Sequence, residues 1–108
     1  MEVDEISVHE LKKLIDEGNS PFILDVREPF EKDLVDIGGE LVPLGELALR
    51  TDEFEDHKHE PVVIYCRSGA RSAEACKILM SEGYTDVRNL KGGILDWAKE
   101  IDPDLPTY

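Results

Sequence analysis

The sequence predicts an α/β domain: a central, mostly parallel β-sheet with helices on both faces. Three observations predict it. Strand-like apolar runs alternate with amphipathic, capped helical stretches along the chain. The two strongest runs, "FILDV" and "PVVIYC", are mostly continuous rather than alternating, as in strands covered on both faces. The chain has 108 residues, the size of one domain spanning residues 1–108, with enough core to fold without metal or disulfide staples.

The elements follow in order. In "SVHELKKLIDEGN", Ser7 is an N-cap and Glu10, three residues on, completes a capping-box spacing. Val8, Leu11, Leu14 and Ile15 share one face of that helix, and Gly18 closes it. Phe22 to Val26 is a strand, and Pro29 in "REPFEKDL" suits the first turn of a brief helix. A short strand near Leu41 and Val42 is followed by a helical turn from Gly45. Pro61 to Cys66 is the strongest strand, and "SAEACKILMSEG" is a helix stopped by Gly83. "DVRNL" gives a last strand and "GILDWAKEI" a last helix ending before Pro103, leaving "DPDLPTY" as a tail.

Composition excludes several classes of function. Acidic residues outnumber basic ones 25 to 12, a formal charge of −13, which disfavours nucleic acid and anionic membrane surfaces as partners. No apolar run approaches a membrane span, and the acidic start "MEVDEISVHE" is not a secretory signal. Two cysteines do not make a disulfide framework, so a reducing, cytoplasmic location is expected.

Against that acidic background, "VVIYCRSGARSA" places an exposed-looking cysteine just ahead of two arginines, Arg67 and Arg71, with four residues separating Cys66 from Arg71. Ligands of open α/β sheets gather beyond the carboxyl ends of the strands, and Cys66 ends the best strand just before the best helix. Backbone N–H groups of a loop wrapped around Cys66 would form an anion-holding nest. Those donors, the following helix and the charges of Arg67 and Arg71 all favour thiolate over thiol. Gly69 supplies the freedom a tight loop needs, Ala70 keeps its rim small, and Ser68 and Ser72 add hydroxyl donors. The alternative, a buried structural cysteine at a strand end, explains neither the arginines nor the loop.

"VVIYCRSGARS", with "LKGGILDW" downstream and "ILDVREPFE" upstream, resembles a rhodanese-like sulfurtransferase domain over nearly the whole chain. "REPFE", "IGGELVPLGEL" and the ending "WAKEIDPDLPTY" are similar to the rhodanese-like domain of molybdopterin-synthase adenylating/sulfurylating enzymes. Many members carry a Gly-His-Ile-Pro-Gly segment where this chain has "DIGGELVPL", a departure that matches the sulfurylating subgroup. Related phosphatases use a Cys-x5-Arg loop around a phosphoryl group. The Cys-x4-Arg loop here is one residue shorter, and the resemblance implies a cradle for a persulfide sulfur.

The resemblance implies a thiosulfate sulfurtransferase-type enzyme with Cys66 as nucleophile and sulfur carrier, and with Arg67, Ser68, Gly69, Ala70, Arg71 and Ser72 forming the substrate loop. The implied donors are thiosulfate or a protein persulfide; the implied acceptors are cyanide in vitro or a ubiquitin-like sulfur carrier. No cofactor is expected. The alternatives are a non-catalytic rhodanese-like binding or regulatory module and, less in keeping with the loop, a small Cys-dependent phosphatase.

Other chemistry-bearing residues have structural readings. Asp25 and Arg27 match the family's Asp-Val-Arg motif and are expected to pair and hold neighbouring loops. Cys76 shares an apolar arc with Ala73, Leu79 and Met80, which makes it a core residue. His57 and His59 lack further ligands, so no metal is expected. Trp97 is expected to anchor the last helix, and "TDEFEDHKHE" to form a solvated face, or a docking face for a basic partner.

Overall fold

The computed structural model describes residues 2–108. Its elements are β1 (Asp4–Ile6), α1 (Val8–Asp16), β2 (Phe22–Asp25), α2 (Pro29–Leu34), β3 (Glu40–Leu41), α3 (Leu44–Arg50), a 3₁₀ segment (Thr51–His57), β4 (Val62–Tyr65), α4 (Ala70–Ser81), β5 (Val87–Leu90) and α5 (Gly93–Glu100). The five strands form one sheet in the order β1-β5-β4-β2-β3, every neighbouring pair parallel.

β4 lies at the centre, and all four of its residues are buried. Because strand side chains alternate, Val62 and Ile64 enter one core with Leu47 of α3 and Ala75, Cys76 and Leu79 of α4. Val63 and Tyr65 enter the other, with Val8 and Leu11 of α1 and Ile94 and Trp97 of α5. Helices therefore cover both faces, and a strand with two buried faces can afford no polar alternation.

The capping box at α1 forms: Ser7 Oγ accepts from the Glu10 N–H at 3.1 Å, and the Ser7 N–H donates to Glu10 Oε1 at 3.4 Å. Four other details differ from the sequence reading. β1 adds an edge strand whose pattern hides only Ile6. The connector keeps its acidic residues exposed, as expected, but it turns as a 3₁₀ segment anchored by Phe54, which is buried between Phe22 and Tyr84. α4 starts at Ala70, two residues earlier than expected, because Gly69 takes a left-handed φ of +112° and lets Ala70 and Arg71 enter the first turn. The ending is not a loose tail: Leu105 and Tyr108 pack partly buried against the core on the α1–α5 side.

Parallel strands bring their carboxyl ends to one edge of the sheet. The residues leaving β2 (Val26 and Arg27), β4 (Cys66 and Arg67) and β5 (Lys91 and Gly92) thus gather there. A cavity of about 190 Å³ opens at the opposite edge, beside Pro21, Pro61, Asp86 and Arg88, and plays no part in the site.

Candidate active site

Cys66 is the first residue beyond β4, and its sulfur lies on the floor of the following loop. It is 1% exposed, which corrects the expectation of an exposed cysteine: the loop closes over it. Cys66 Sγ accepts from the Gly69 N–H at 3.0 Å and from the Ser72 N–H at 3.4 Å. Ser72 Oγ stands 3.3 Å from the sulfur. Burial alone would push the Cys66 thiol up. The Ser72 hydroxyl and the N–H groups of Ser72, Gly69 and Ser68 outweigh burial and bring the thiol below its ordinary value.

Two supports hold this cradle from behind. Asn89, buried on β5, donates through Nδ2 to the Gly69 carbonyl at 3.0 Å and accepts from Ser72 Oγ at 2.5 Å. A hydroxyl has one proton, so Ser72 serves Asn89 or the sulfur, and ionisation of Cys66 favours the sulfur. The second support is the start of α5. The Ile94 N–H donates to the Cys66 carbonyl at 3.0 Å and the Leu95 N–H to the Arg67 carbonyl at 3.1 Å. With those carbonyls held outward, the N–H groups further along the loop turn toward the sulfur.

That contact requires Gly93. It has a φ of +59°, and a Cβ there would meet the Cys66 carbonyl oxygen at 2.6 Å and that of Arg67 at 2.5 Å. Gly93→Ala is expected to destabilise the fold by about 2 kcal/mol and to slow any reaction at Cys66 roughly tenfold, by displacing the loop. Urea unfolding and the iodoacetamide alkylation rate of Cys66 measure the two effects.

The arginines are near the sulfur but engaged elsewhere. Arg71 grips Glu31 of α2 with two bonds, at 2.7 and 2.8 Å. Arg67 turns to Tyr108: its Nε donates to the Tyr108 main-chain oxygen at 2.6 Å, and its guanidinium lies 5.2 Å from the centre of the tyrosine ring. The principal stabilisers of the thiolate are therefore the N–H groups and Ser72, rather than the two arginine charges. Ser68 and Ala70 lie exposed at the rim.

Glu31 and Tyr108 escaped the sequence reading. Tyr108 Oη donates to Glu31 Oε1 at 2.9 Å and accepts from Arg27 Nη1 at 3.1 Å. Nothing in "REPFE", which holds two glutamates, singles out Glu31 as a partner for the loop. The Arg71 bonds, above all, hold the Glu31 carboxyl down to about 2 from an ordinary 4.5. A carboxyl depressed on folding contributes stability that is complete above its unfolded value and lost as pH falls through its folded one. Stability should therefore fall between pH 4.5 and about pH 2, and Glu31→Gln should flatten that fall, as read by urea midpoints across the window.

Asp25 and Arg27 are fully buried and pair with each other, Nη2 to Oδ2 at 2.9 Å and Nε to Oδ1 at 3.0 Å. Neither reaches the sulfur by a hydrogen bond; they frame the site. Cys76 is fully buried in the core, where burial pushes its thiol up to about 12. His57 stacks on Phe22 with ring centres 4.1 Å apart. Among the described residues no cluster of three or more His, Cys, Asp or Glu could hold a metal, and no helix is long and apolar enough to cross a membrane.

The sequence pattern of the rhodanese-like domain matches residues 7–100. The chain is 36% identical over 104 residues to the probable adenylyltransferase/sulfurtransferase MoeZ of Mycobacterium tuberculosis, covering 95% of this chain and 26% of that protein. It thus spans about a quarter of that relative. It is 40% identical over 98 residues to a sulfurtransferase of Allochromatium vinosum, covering 90% of each. The crystal structure of the reduced CoADR-RHD protein of Bacillus anthracis superposes with a TM-score of 0.81 at 31% identity, over 98% of this chain and 18% of that one. Matched along most of its length by that pattern and by a similar-sized sulfurtransferase, the chain belongs to the rhodanese-like sulfurtransferase family.

Proposed function

We propose that this domain, taking in residues 1–108, is a cytoplasmic enzyme that carries a sulfane sulfur as a persulfide on Cys66. One observation carries the reading: a buried sulfur receives two backbone N–H groups and faces a hydroxyl, so the site favours a sulfur anion.

The Cys66 thiolate attacks the outer sulfur of the donor. With thiosulfate, the S–S bond breaks and sulfite leaves with the electron pair. With a protein persulfide, a thiolate leaves in the same way. Either route leaves Cys66–S–S⁻ with charge balanced and no proton moved. The substrate loop, Arg67 to Ser72, then holds the terminal sulfur over the N–H donors, while Asp25 and Arg27 support the loop from the end of β2. An acceptor nucleophile attacks the terminal sulfur, and the Cys66 thiolate is restored; cyanide would leave as thiocyanate. A ubiquitin-like sulfur carrier is the proposed protein acceptor. There the roles reverse: the terminal sulfur attacks the carrier's activated carboxyl carbon as the activating group leaves. Two thiolates of a small thiol then reduce the S–S bond, freeing the thiocarboxylate and the Cys66 thiolate. The retained cysteine and its donors favour this reading over a non-catalytic module. The short loop favours it over a phosphatase.

Intact-mass measurement tests the reading. Brief treatment with thiosulfate or glutathione persulfide should add the mass of one sulfur, and cyanide should remove it with release of thiocyanate. Failure of both donors to add sulfur would overturn the reading.

A further inference from the structure

Two guanidinium groups stand beside the cradle, and each has two of its donors, and with them its orientation, committed to another part of the protein. Arg71 has both terminal nitrogens on the Glu31 carboxylate, which is nearly buried. Arg67 has Nε and Nη2 on the main-chain oxygen of Tyr108, and the tyrosine ring covers one face of the guanidinium. Tyr108 is common to both. Its hydroxyl donates to the Glu31 oxygen that receives Arg71 Nη2, and Arg27 Nη1 fixes that hydroxyl in turn. One residue thus occupies Arg67 directly and braces the partner of Arg71.

The candidate donors ask different things of this rim. In thiosulfate the sulfane sulfur carries a sulfonate, whose three oxygens gain most from charge-assisted, forked donors. In a persulfide the sulfane sulfur carries an organic group and needs only the N–H donors of the cradle.

We propose that Tyr108 determines donor specificity: by engaging Arg67 and bracing Glu31 against Arg71, it leaves the cradle suited to persulfides and poorly suited to thiosulfate. The proposal rests on the reading of Cys66 as a sulfur carrier and names the donor class. Tyr108 acts here through the arginines, as a positioning residue.

Tyr108→Leu keeps the main-chain oxygen and some apolar bulk against the α1–α5 core, but removes the ring that packs over Arg67 and seats this oxygen on its guanidinium, so Arg67 is freed to turn toward the cradle. The ratio of kcat/KM for thiosulfate to that for glutathione persulfide should rise about tenfold, through a lower thiosulfate KM, because hydrogen bonds to charged groups have that worth. Tyr108→Phe keeps the ring over Arg67 and loses only the hydroxyl brace on Glu31, so its ratio should lie between those of the wild type and Tyr108→Leu. The gain should vanish in Arg67→Gln/Tyr108→Leu. A second readout needs no sulfur transfer: the ratio of Cys66 alkylation rates with iodoacetate and iodoacetamide should rise in Tyr108→Leu and fall back in the double variant. If Tyr108→Leu does not fold, Tyr108→Met presents the same release with a more adaptable side chain. A folded Tyr108→Leu or Tyr108→Met with both ratios within twofold of wild type would overturn the proposal, as would a gain that persists without Arg67. Inability of the wild type to accept sulfur from either donor would instead overturn the carrier reading, and the alkylation ratio would still decide whether Tyr108 restrains Arg67.

Discussion

Cys66→Ser should abolish sulfur transfer, lowering the rate by roughly 10⁴-fold or more, while leaving the fold intact. The size of the loss follows from the chemistry. A serine hydroxyl is not ionised by the two N–H donors that suffice for a thiol, and it cannot store sulfur as a persulfide. The fold survives because the socket accepts an oxygen: the N–H groups of Gly69 and Ser72 and the Ser72 hydroxyl still face an acceptor, at somewhat longer range. The stability change should stay near 1 kcal/mol, read from urea midpoints. Cys76 cannot substitute, since it is fully buried and its thiol is held up to about 12 by that burial. In the wild type, alkylation of Cys66 should follow a thiolate titration centred below the ordinary thiol value, because the cradle donors outweigh burial. Sulfur transfer persisting in Cys66→Ser would move the chemistry to another residue.

The sequence exposes the parts of this molecule that depend on near neighbours. Ser7 and Glu10 are three residues apart, and their reciprocal bonds need nothing beyond one helical turn. The run from Val62 to Tyr65 announces a central strand because both of its faces must be apolar. Its carboxyl end then dictates where the loop of Cys66 lies. Asp25 and Arg27, two residues apart, pair as the pattern suggests.

Long-range partners are hidden by the same logic. Arg71 meets Glu31 forty residues away, and Arg67 meets Tyr108 across forty-one, so a local reading left both arginines free to face the sulfur. β1 escaped notice because an edge strand with one buried residue has no apolar run to show. The role of Gly93 is equally silent in the pattern "KGGILDW". A glycine pair reads as a turn, whereas the reason for Gly93 is the approach of two carbonyls from another strand's loop. The acceptors and donors that shape the cradle are mostly backbone, and backbone direction is set by tertiary contact.

Arg27→Met should cost about 3–5 kcal/mol, a large share of the roughly 5–15 kcal/mol that holds such a domain folded. Arg27 has no exposed surface, and its guanidinium serves five acceptor contacts. Two fall on Asp25, and the others on the Glu31 carbonyl, the Val35 carbonyl and Tyr108 Oη. Methionine fills the stem of that volume and replaces none of the bonds. The Asp25 carboxylate, itself fully buried, would keep only the Arg27 N–H and the Tyr65 hydroxyl as donors. The larger part of the cost is this uncompensated charge, and a second substitution exposes it: Asp25→Asn in the Arg27→Met background should recover about 1–2 kcal/mol. Arg27→Lys should recover little, because one ammonium cannot reach both Asp25 oxygens and the Glu31 and Val35 carbonyls in the geometry of a planar fork. The same loss should reach the site, since the bonds to the Glu31 carbonyl, to the Val35 carbonyl just past α2 and to Tyr108 Oη fix the helix that presents Glu31 to Arg71. Urea unfolding of the three variants measures the stabilities; a cost below 1 kcal/mol for Arg27→Met would show that the buried pair is dispensable.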